Sequence, residues 1–207
     1  MILNTKNKVV ILSSLILIFI AMAFLIISNN FLVIGLDNSI HNWILGHQSP
    51  SVYNFMLSIT NIGDVSGTII IFIVFGLFLF MKNKKDLYTF ATATASGIVL
   101  TEIIKHLVQR TRPFNLLEQG FSFPSAHAMI STIFLLSSIY LLAPIIQKTF
   151  SKVTFLVIVS ITFPLVAFSR IYLSVHFTSD VLAGIILGAI CLIFAEIVCC
   201  HKKENVL

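Results

Sequence analysis

Charge is scarce in this sequence. Only 10% of its 207 residues are Asp, Glu, Lys or Arg, while 57% are hydrophobic. A soluble domain carries roughly 25% charged residues, so an ordinary water-soluble fold is not expected. The apolar residues fall in nearly charge-free runs of about 17 to 21, the length a helix needs to cross the hydrocarbon core of a bilayer. A helix satisfies its own backbone groups there. A β-barrel would need short segments of alternating polarity, and these runs are continuous. Cysteine is scarce too: Cys191, Cys199 and Cys200 are the three in the chain, and none has metal-ligand spacing to another Cys or His. They are expected to pack in the inner half of a span, in a reducing compartment. There is no internal repeat, low-complexity linker or long charged tail. Residues 1–207 therefore read as a single domain.

The expected fold class is all-α: a polytopic membrane protein with six transmembrane spans at residues 9–28, 65–81, 87–105, 128–146, 153–169 and 181–200. The first run follows Lys6 and Lys8, as a secretory signal would. It is long for a signal core, and the Ile-Ile-Ser-Asn-Asn after it is a poor cleavage site, so it is expected to be retained. The net charge of +5 reads as topology rather than nucleic-acid affinity. Lys6 and Lys8 precede span one, and Lys82, Lys84 and Lys85 separate spans two and three. Lys148 and Lys152 separate spans four and five, and Lys202 and Lys203 follow span six. These alternate to one side, which the positive-inside rule makes cytoplasmic. The expected location is the cell membrane, with both termini cytoplasmic. Lys105, Arg110, Arg112 and Arg170 fall on the outer side, against that bias.

The longest connection, residues 29–64, holds no Lys or Arg, as an outer loop should. Within it, residues 36–59 mix apolar side chains with Asp37, Asn38, His41, Asn42 and His47, and Trp43 and Tyr53 suit the headgroup zone. One or two short interfacial helices are expected, serving as a plain lid or as a substrate gate. Span three carries Ala91, Ala93, Ala95 and Gly97, small residues that let backbones approach, so it is expected to be central. Gly184 and Gly188 repeat the device in span six, and Pro164 is expected to kink span five.

Three polar clusters interrupt this pattern. Residues 105–113 hold Lys105 and Arg112, seven apart and so on one face of a continuous helix, with Pro113 ending it. Residues 123–127 read Phe-Pro-Ser-Ala-His at the start of span four. Free N–H groups and the helix dipole make an anion site there, Ser125 adds a hydroxyl, and His127 adds a titratable ring. The third holds Ser169 and Arg170, then His176 and Asp180 at i and i+4. Singly, each reads as interfacial anchors or a capped helix. Together they meet: the 41 residues between His127 and Ser169 suit one helix in, a short loop and one helix back.

Such a constellation suits phosphoryl transfer. Lys105, Arg112 and Arg170, with Ser125, Ala126 and the helix start, form a positive cradle for phosphoryl oxygens. His176 can attack phosphorus, with Asp180 orienting its ring. His127 can protonate the leaving oxygen and then activate water. Asp180 is the only acid inside these motifs, so the paired carboxylates of a two-metal site are missing. No metal and no other cofactor are expected.

Lys105-x6-Arg112-Pro113, Pro124-Ser125-x-His127 and Ser169-Arg170-x5-His176-x3-Asp180 supply ten positions at fixed spacing. This pattern resembles the signature of the type-2 phosphatidic acid phosphatase and vanadium haloperoxidase superfamily, in its bacterial membrane lipid phosphatase branch. The resemblance covers residues 105–180 directly and, through the six-span layout, nearly the whole chain. It implies His176 as nucleophile, His127 as acid, and a lipid phosphate or diphosphate reached from the membrane. Undecaprenyl diphosphate is the favoured substrate, with phosphatidylglycerophosphate and phosphatidic acid as alternatives. Where the family usually has Gly, this chain has Ala126, which keeps the N–H but adds a methyl group. The expected partners are the bilayer and its lipid substrate, with no nucleic acid and no obligate protein partner.

Other ionisable residues read more weakly. Glu102 is placed to pair with Lys105. His106 and Arg110 could line the pocket mouth, His41 and His47 read as wet interfacial residues, Glu196 lies near the inner surface, and His201 belongs to the inner tail. A lipid phosphotransferase on the same site is the neighbouring reading, and an anion channel or transporter is the non-enzymatic one. A channel would place its charges on broken helices at the midplane, whereas these lie at helix ends.

Overall fold

The computed structural model describes residues 4–113 and 118–201, without the side chains of Cys200 and His201. Lys202 and Lys203 lie outside the described residues. The chain is an all-α, six-span membrane protein. Its helices are α1 (Thr5–Ile27), α2 (Phe31–His47), α3 (Pro50–Thr60), α4 (Val65–Lys82), α5 (Lys84–Val108), α6 (Ala126–Ser137), α7 (Thr149–Tyr172) and α8 (Thr178–His201). The α6 span continues through a π-helical turn, Ser138–Leu142, and a 3₁₀ turn, Ala143–Ile145. Six of these, α1, α4, α5, α6 with its extension, α7 and α8, are long and apolar enough to cross a membrane.

Short polar side chains set the boundaries. The Asn30 carboxamide accepts from the N–H groups of Leu32 and Val33 at 3.1 and 3.4 Å, opening α2 just after α1 ends. Ser49 caps α3, whose first residue is Pro50. Asn83 ends α4 and caps α5, accepting from Lys85 N–H at 3.1 Å. Each supplies an acceptor to donors the helix cannot pair internally. The helices α2 and α3 realise the expected short elements between spans one and two. However, α2 begins at Phe31 and buries Asp37, so it is packed into the protein rather than wet all along its polar side. His41 likewise sets its ring against Phe177, 6.1 Å between centroids, and burial lowers its pKa.

The bundle is centred on α6. Of the most apolar window in each span, 61% is buried in α6 and 50% in α8, against 33% in α5. Small residues explain the order. A Cβ on Gly184 would lie 2.4 Å from the Ser125 carbonyl oxygen, and one on Gly188 2.5 Å from that of Met129. The α8 backbone therefore lies against the α6 backbone. Gly97 of α5 instead accommodates the Met129 thioether, where a Cβ would sit 2.5 Å from Sδ. Span three was expected to be central; its small residues receive a side chain, whereas α6 is enclosed on both sides. Phe90, Phe134 and Phe163 pack ring against tilted ring at 5.5 and 5.7 Å between centroids, linking α5, α6 and α7. Pro164 lies inside α7 without ending it. Cys191 is buried in the main core.

One end of the bundle is marked by the Lys8–Glu196 ion pair at 2.8 Å, which joins the first turns of α1 to the last turns of α8. That gives Glu196 a partner the sequence did not supply. A cavity of about 620 Å³ opens at this end, lined by Phe75, Phe78, Lys82, Leu142, Lys148 and Phe155 among others. The polar clusters lie at the other end.

The glycine contacts make a prediction. Gly184→Val should destabilise the protein by about 1–3 kcal/mol through overpacking, read as a lower unfolding temperature in detergent. Gly35→Ala, where a Cβ meets nothing within 4 Å, should cause no such loss.

Candidate active site

The site is built where α5 ends, α6 begins, α7 ends and α8 begins. The α5 helix stops at Val108, because Gln109 adopts a left-handed conformation (φ 50°, ψ 33°) and closes the helix with its N–H on the Lys105 carbonyl at 2.9 Å. The expectation that Lys105 and Arg112 share a helix face is therefore corrected. Arg112 lies in the loop beyond the helix and reaches the site from there. Lys105 is paired with Glu102, Nζ to Oε1 at 3.0 Å, the structural ion pair that its spacing suggested.

Arg112 Nη1 donates to the Val175 carbonyl at 3.0 Å and lies 3.0 Å from His176 Nε2. It also lies 3.0 Å from Glu118 Oε2. Arg170, in the last turn of α7, is only 2% exposed. Its guanidinium donates to Thr60 Oγ1 and to Glu118 Oε1. Two guanidiniums thus grip one carboxylate beside the imidazole nitrogen of His176. Burial alone would raise the Glu118 pKa, but Arg170 and Arg112, then His127 and His176, outweigh it and lower it below the usual 4.5. Glu118 was not foreseen as a site residue, and nothing in its spacing marks it.

His176 precedes α8 and is held by backbone. Its N–H and that of Val175 both donate to the Arg170 carbonyl, at 3.2 and 3.1 Å. That turn delivers the ring to the cradle. Nδ1 lies 3.7 Å from Asp180 Oδ2, beyond hydrogen-bond range, and has no hydrogen-bond partner among the described residues. The i,i+4 pair therefore straddles the helix start, approached but not closed, a spacing common before substrate binds. Burial lowers the His176 pKa below its usual 6.5, and Arg112 and Arg170 act the same way against the opposing negative charge of Asp180.

Asp180 is fully buried and fully used. Oδ2 accepts from Phe177 N–H at 2.9 Å, and Oδ1 accepts from Arg110 Nη1 at 2.6 Å. Arg110 also donates to Ser179 Oγ and to Asp37 Oδ2, both at 2.7 Å, and lies over the Phe177 ring at 4.4 Å. Asp37 completes the cluster by accepting from Ser179 N–H and Oγ at 3.0 and 2.5 Å. Arg110 is therefore a clamp rather than a residue of the pocket mouth. Asp37 was missed as its partner; a lone acid in an apolar stretch, which needs a counter-charge once buried, was the signal available.

At the start of α6, Ser125 is fully buried and its Oγ accepts from Ala128 N–H at 3.5 Å. Ser125 N–H donates to the Asp180 carbonyl at 3.0 Å, tying the α6 and α8 starts together. Ala126 is the first residue of α6, where a helix has no internal partner for its N–H groups. His127 Nε2 lies 2.8 Å from Asp64 Oδ1, a contact between α6 and the start of α4 that the sequence reading missed. The structure thus brings together His127, His176, Asp180, Arg112, Arg170, Ser125 and Ala126, and adds Arg110, Asp37, Asp64 and Glu118.

Removing the clamp has a calculable effect. Arg110→Ala leaves two buried carboxylates without their cation and should destabilise the protein by about 3–5 kcal/mol. The double variant Arg110→Ala/Asp37→Asn should lose less than the sum of the single changes, measured by unfolding in detergent.

A family model described as the PAP2 superfamily matches residues 86–203. Phosphatidylglycerophosphatase B of Bacillus subtilis is 31% identical over 182 residues, covering 84% of this chain and 88% of that one. Undecaprenyl-diphosphatase of Sulfolobus acidocaldarius is 32% identical over 122 residues, 55% of each chain. Among solved structures, a transmembrane PAP2-type phosphatidylglycerolphosphate phosphatase from Bacillus subtilis superposes with a TM-score of 0.77 at 27% identity, over 95% of this chain and 97% of that one. Aquifex aeolicus LpxE does so with a TM-score of 0.60 at 25% identity, over 80% and 94%.

Proposed function

The chain belongs to the PAP2 superfamily and is a membrane lipid phosphatase, and we propose that it hydrolyses its lipid phosphate through a phosphohistidine on His176. The observation that carries this reading is the Glu118 carboxylate gripped by Arg112 and Arg170 beside His176 Nε2. An anion already fills the space that a phosphoryl group would need. The substrate phosphate displaces Glu118 and takes up both guanidiniums, the Ser125 hydroxyl and the free N–H groups at the α6 start. Lys105 stays paired with Glu102.

His176 Nε2 then attacks phosphorus as the bond to the lipid oxygen breaks. Asp180 stabilises the cationic ring, and His127 protonates the departing lipid oxygen. Water, deprotonated by His127, attacks the phosphohistidine, the P–N bond breaks and phosphate leaves. Charge stabilisation by the two arginines is the principal contribution.

Phosphatidylglycerophosphate is the substrate we favour. The similarity to phosphatidylglycerophosphatase B runs over 84% of this chain. Undecaprenyl diphosphate is the second reading, supported by a relative matched over 55% of it and by the outer-facing site that the alternating lysines favour. That orientation puts both termini in the cytoplasm. The Lys8–Glu196 pair, at the end of the bundle opposite the site, fits it.

Phosphate release by the purified protein in detergent with excess chelator is the direct test. Phosphatidylglycerophosphate, undecaprenyl diphosphate and phosphatidic acid form the panel. Release should persist with chelator and drop by roughly a thousandfold or more in His176→Ala. Silence on all three lipids from folded protein would sink the reading. The pH profile gives a second test. Because the His176 pKa is lowered from its usual 6.5, the acid limb of kcat/KM assigned to this group should lie below that value. An acid limb above it would contradict the assignment.

A further inference from the structure

We propose that Asp64 is a positioning residue for the reaction, holding the His127 ring and stabilising its protonated form so that His127 can serve as the acid. The proposal rests on the reading of His127 given above. Asp64 stands at the N-cap of α4 but makes no capping bond with its side chain. An N-cap Asp ordinarily turns its carboxylate onto the free N–H groups of its own helix. Here Oδ1 goes to His127 Nε2 at 2.8 Å instead. With its amide nitrogen turned inward, Asn61 donates to the other oxygen at 3.2 Å, so the carboxylate is fixed from both sides.

The preceding residue grips the same ring. A Cβ on Gly63 would lie 2.6 Å from His127 Cδ2 and 2.8 Å from Val166 Cγ1. The imidazole therefore lies close against Gly63, and any larger residue at position 63 would push it away. Thr68 locks the turn, its N–H on the Asp64 carbonyl at 2.8 Å and its hydroxyl on the Gly63 carbonyl at 3.2 Å. Gly63 and Asp64 thus fix the position of the ring and the proton on Nε2.

The electrostatics give the reason. Arg170 and Glu118 are the other charged groups acting on His127. Arg170 opposes a proton on the ring. Glu118 favours one, but it must leave when substrate enters the cradle. Asp64 is the protein carboxylate that remains throughout. With Nε2–H bound to Asp64, Nδ1 exchanges protons. As the bond between phosphorus and the lipid oxygen breaks, the Nδ1 proton passes to that oxygen and the imidazolium becomes neutral. Water then gives a proton to Nδ1 as its oxygen bonds to phosphorus and the P–N bond to His176 breaks. The ring ends as it began, and the carboxylate keeps its charge through the cycle.

The test compares leaving groups. A lipid phosphomonoester expels an alkoxide that needs a proton, whereas an alkylated nitrophenyl phosphate expels a stable phenolate that does not. kcat/KM reports only steps up to phosphorylation of His176, so it isolates this requirement. Asp64→Asn, close to isosteric, should lower kcat/KM on the phosphomonoester by roughly 10- to 100-fold and change it on the nitrophenyl ester by less than about threefold. His127→Ala should give the same pattern, more strongly. Equal losses on both substrates would mean that Asp64 only maintains the fold, and unchanged rates on both would remove it from the reaction; either overturns the proposal. If His127→Ala itself fails to distinguish the two esters, the acid assignment falls, and the role of Asp64 falls with it.

Discussion

Buried charge must be paired, and at this end of the bundle pairing governs the architecture. Asp180 is enclosed by protein, and so is Asp37; each would be costly alone in a low-dielectric interior. Arg110 joins them, and through them joins α2, the loop after α5 and the start of α8. The Phe177 amide adds a donor to Asp180. With Asp180 fixed this way, the turn that carries His176 has an anchor on each side, Arg170 before it and Asp180 after it. Three arginines lie close together here without mutual repulsion prevailing, because each faces at least one carboxylate.

Those carboxylates have different fates. Asp37 and Asp180 are locked into the clamp. Among the described residues Glu118 is paired with Arg112 and Arg170, and a substrate phosphate offers those arginines more acceptor oxygens and more charge. The site is therefore electrostatically balanced, and on the proposed mechanism exchange of one anion for another readies it. A cradle of two unpaired guanidiniums this deeply placed would be hard to maintain without such an occupant. Glycine packing completes the arrangement. Because α8 approaches α6 closely at Gly184, the Ser125 amide can bond to the Asp180 carbonyl, so the start of α6 is set directly against the turn that carries His176.

Much of this could be read from the chain. Every expected span corresponds to a helix, since the free energy of placing an apolar run in lipid depends on the run itself. The convergence of Arg112, Ser125, His127, Arg170, His176 and Asp180 followed from helix lengths alone. The departures are local in origin. Gln109 takes a left-handed conformation that no periodicity signals, and this ended α5 early, sent Arg112 into the loop and left Lys105 with its near neighbour Glu102.

What the sequence by itself determined was the membrane class, the number of spans and the end of the bundle at which the chemistry gathers. Hydropathy and motif spacing are properties of contiguous chain, and they carry over into the fold unchanged. What only the tertiary structure decided was which charge meets which: Asp37 with Arg110, Asp64 with His127, and Glu118 with the two arginines of the cradle. These partners come from segments far apart in sequence. Their choice rests on which side chains are desolvated together once the helices pack, and that is settled through space rather than along the chain.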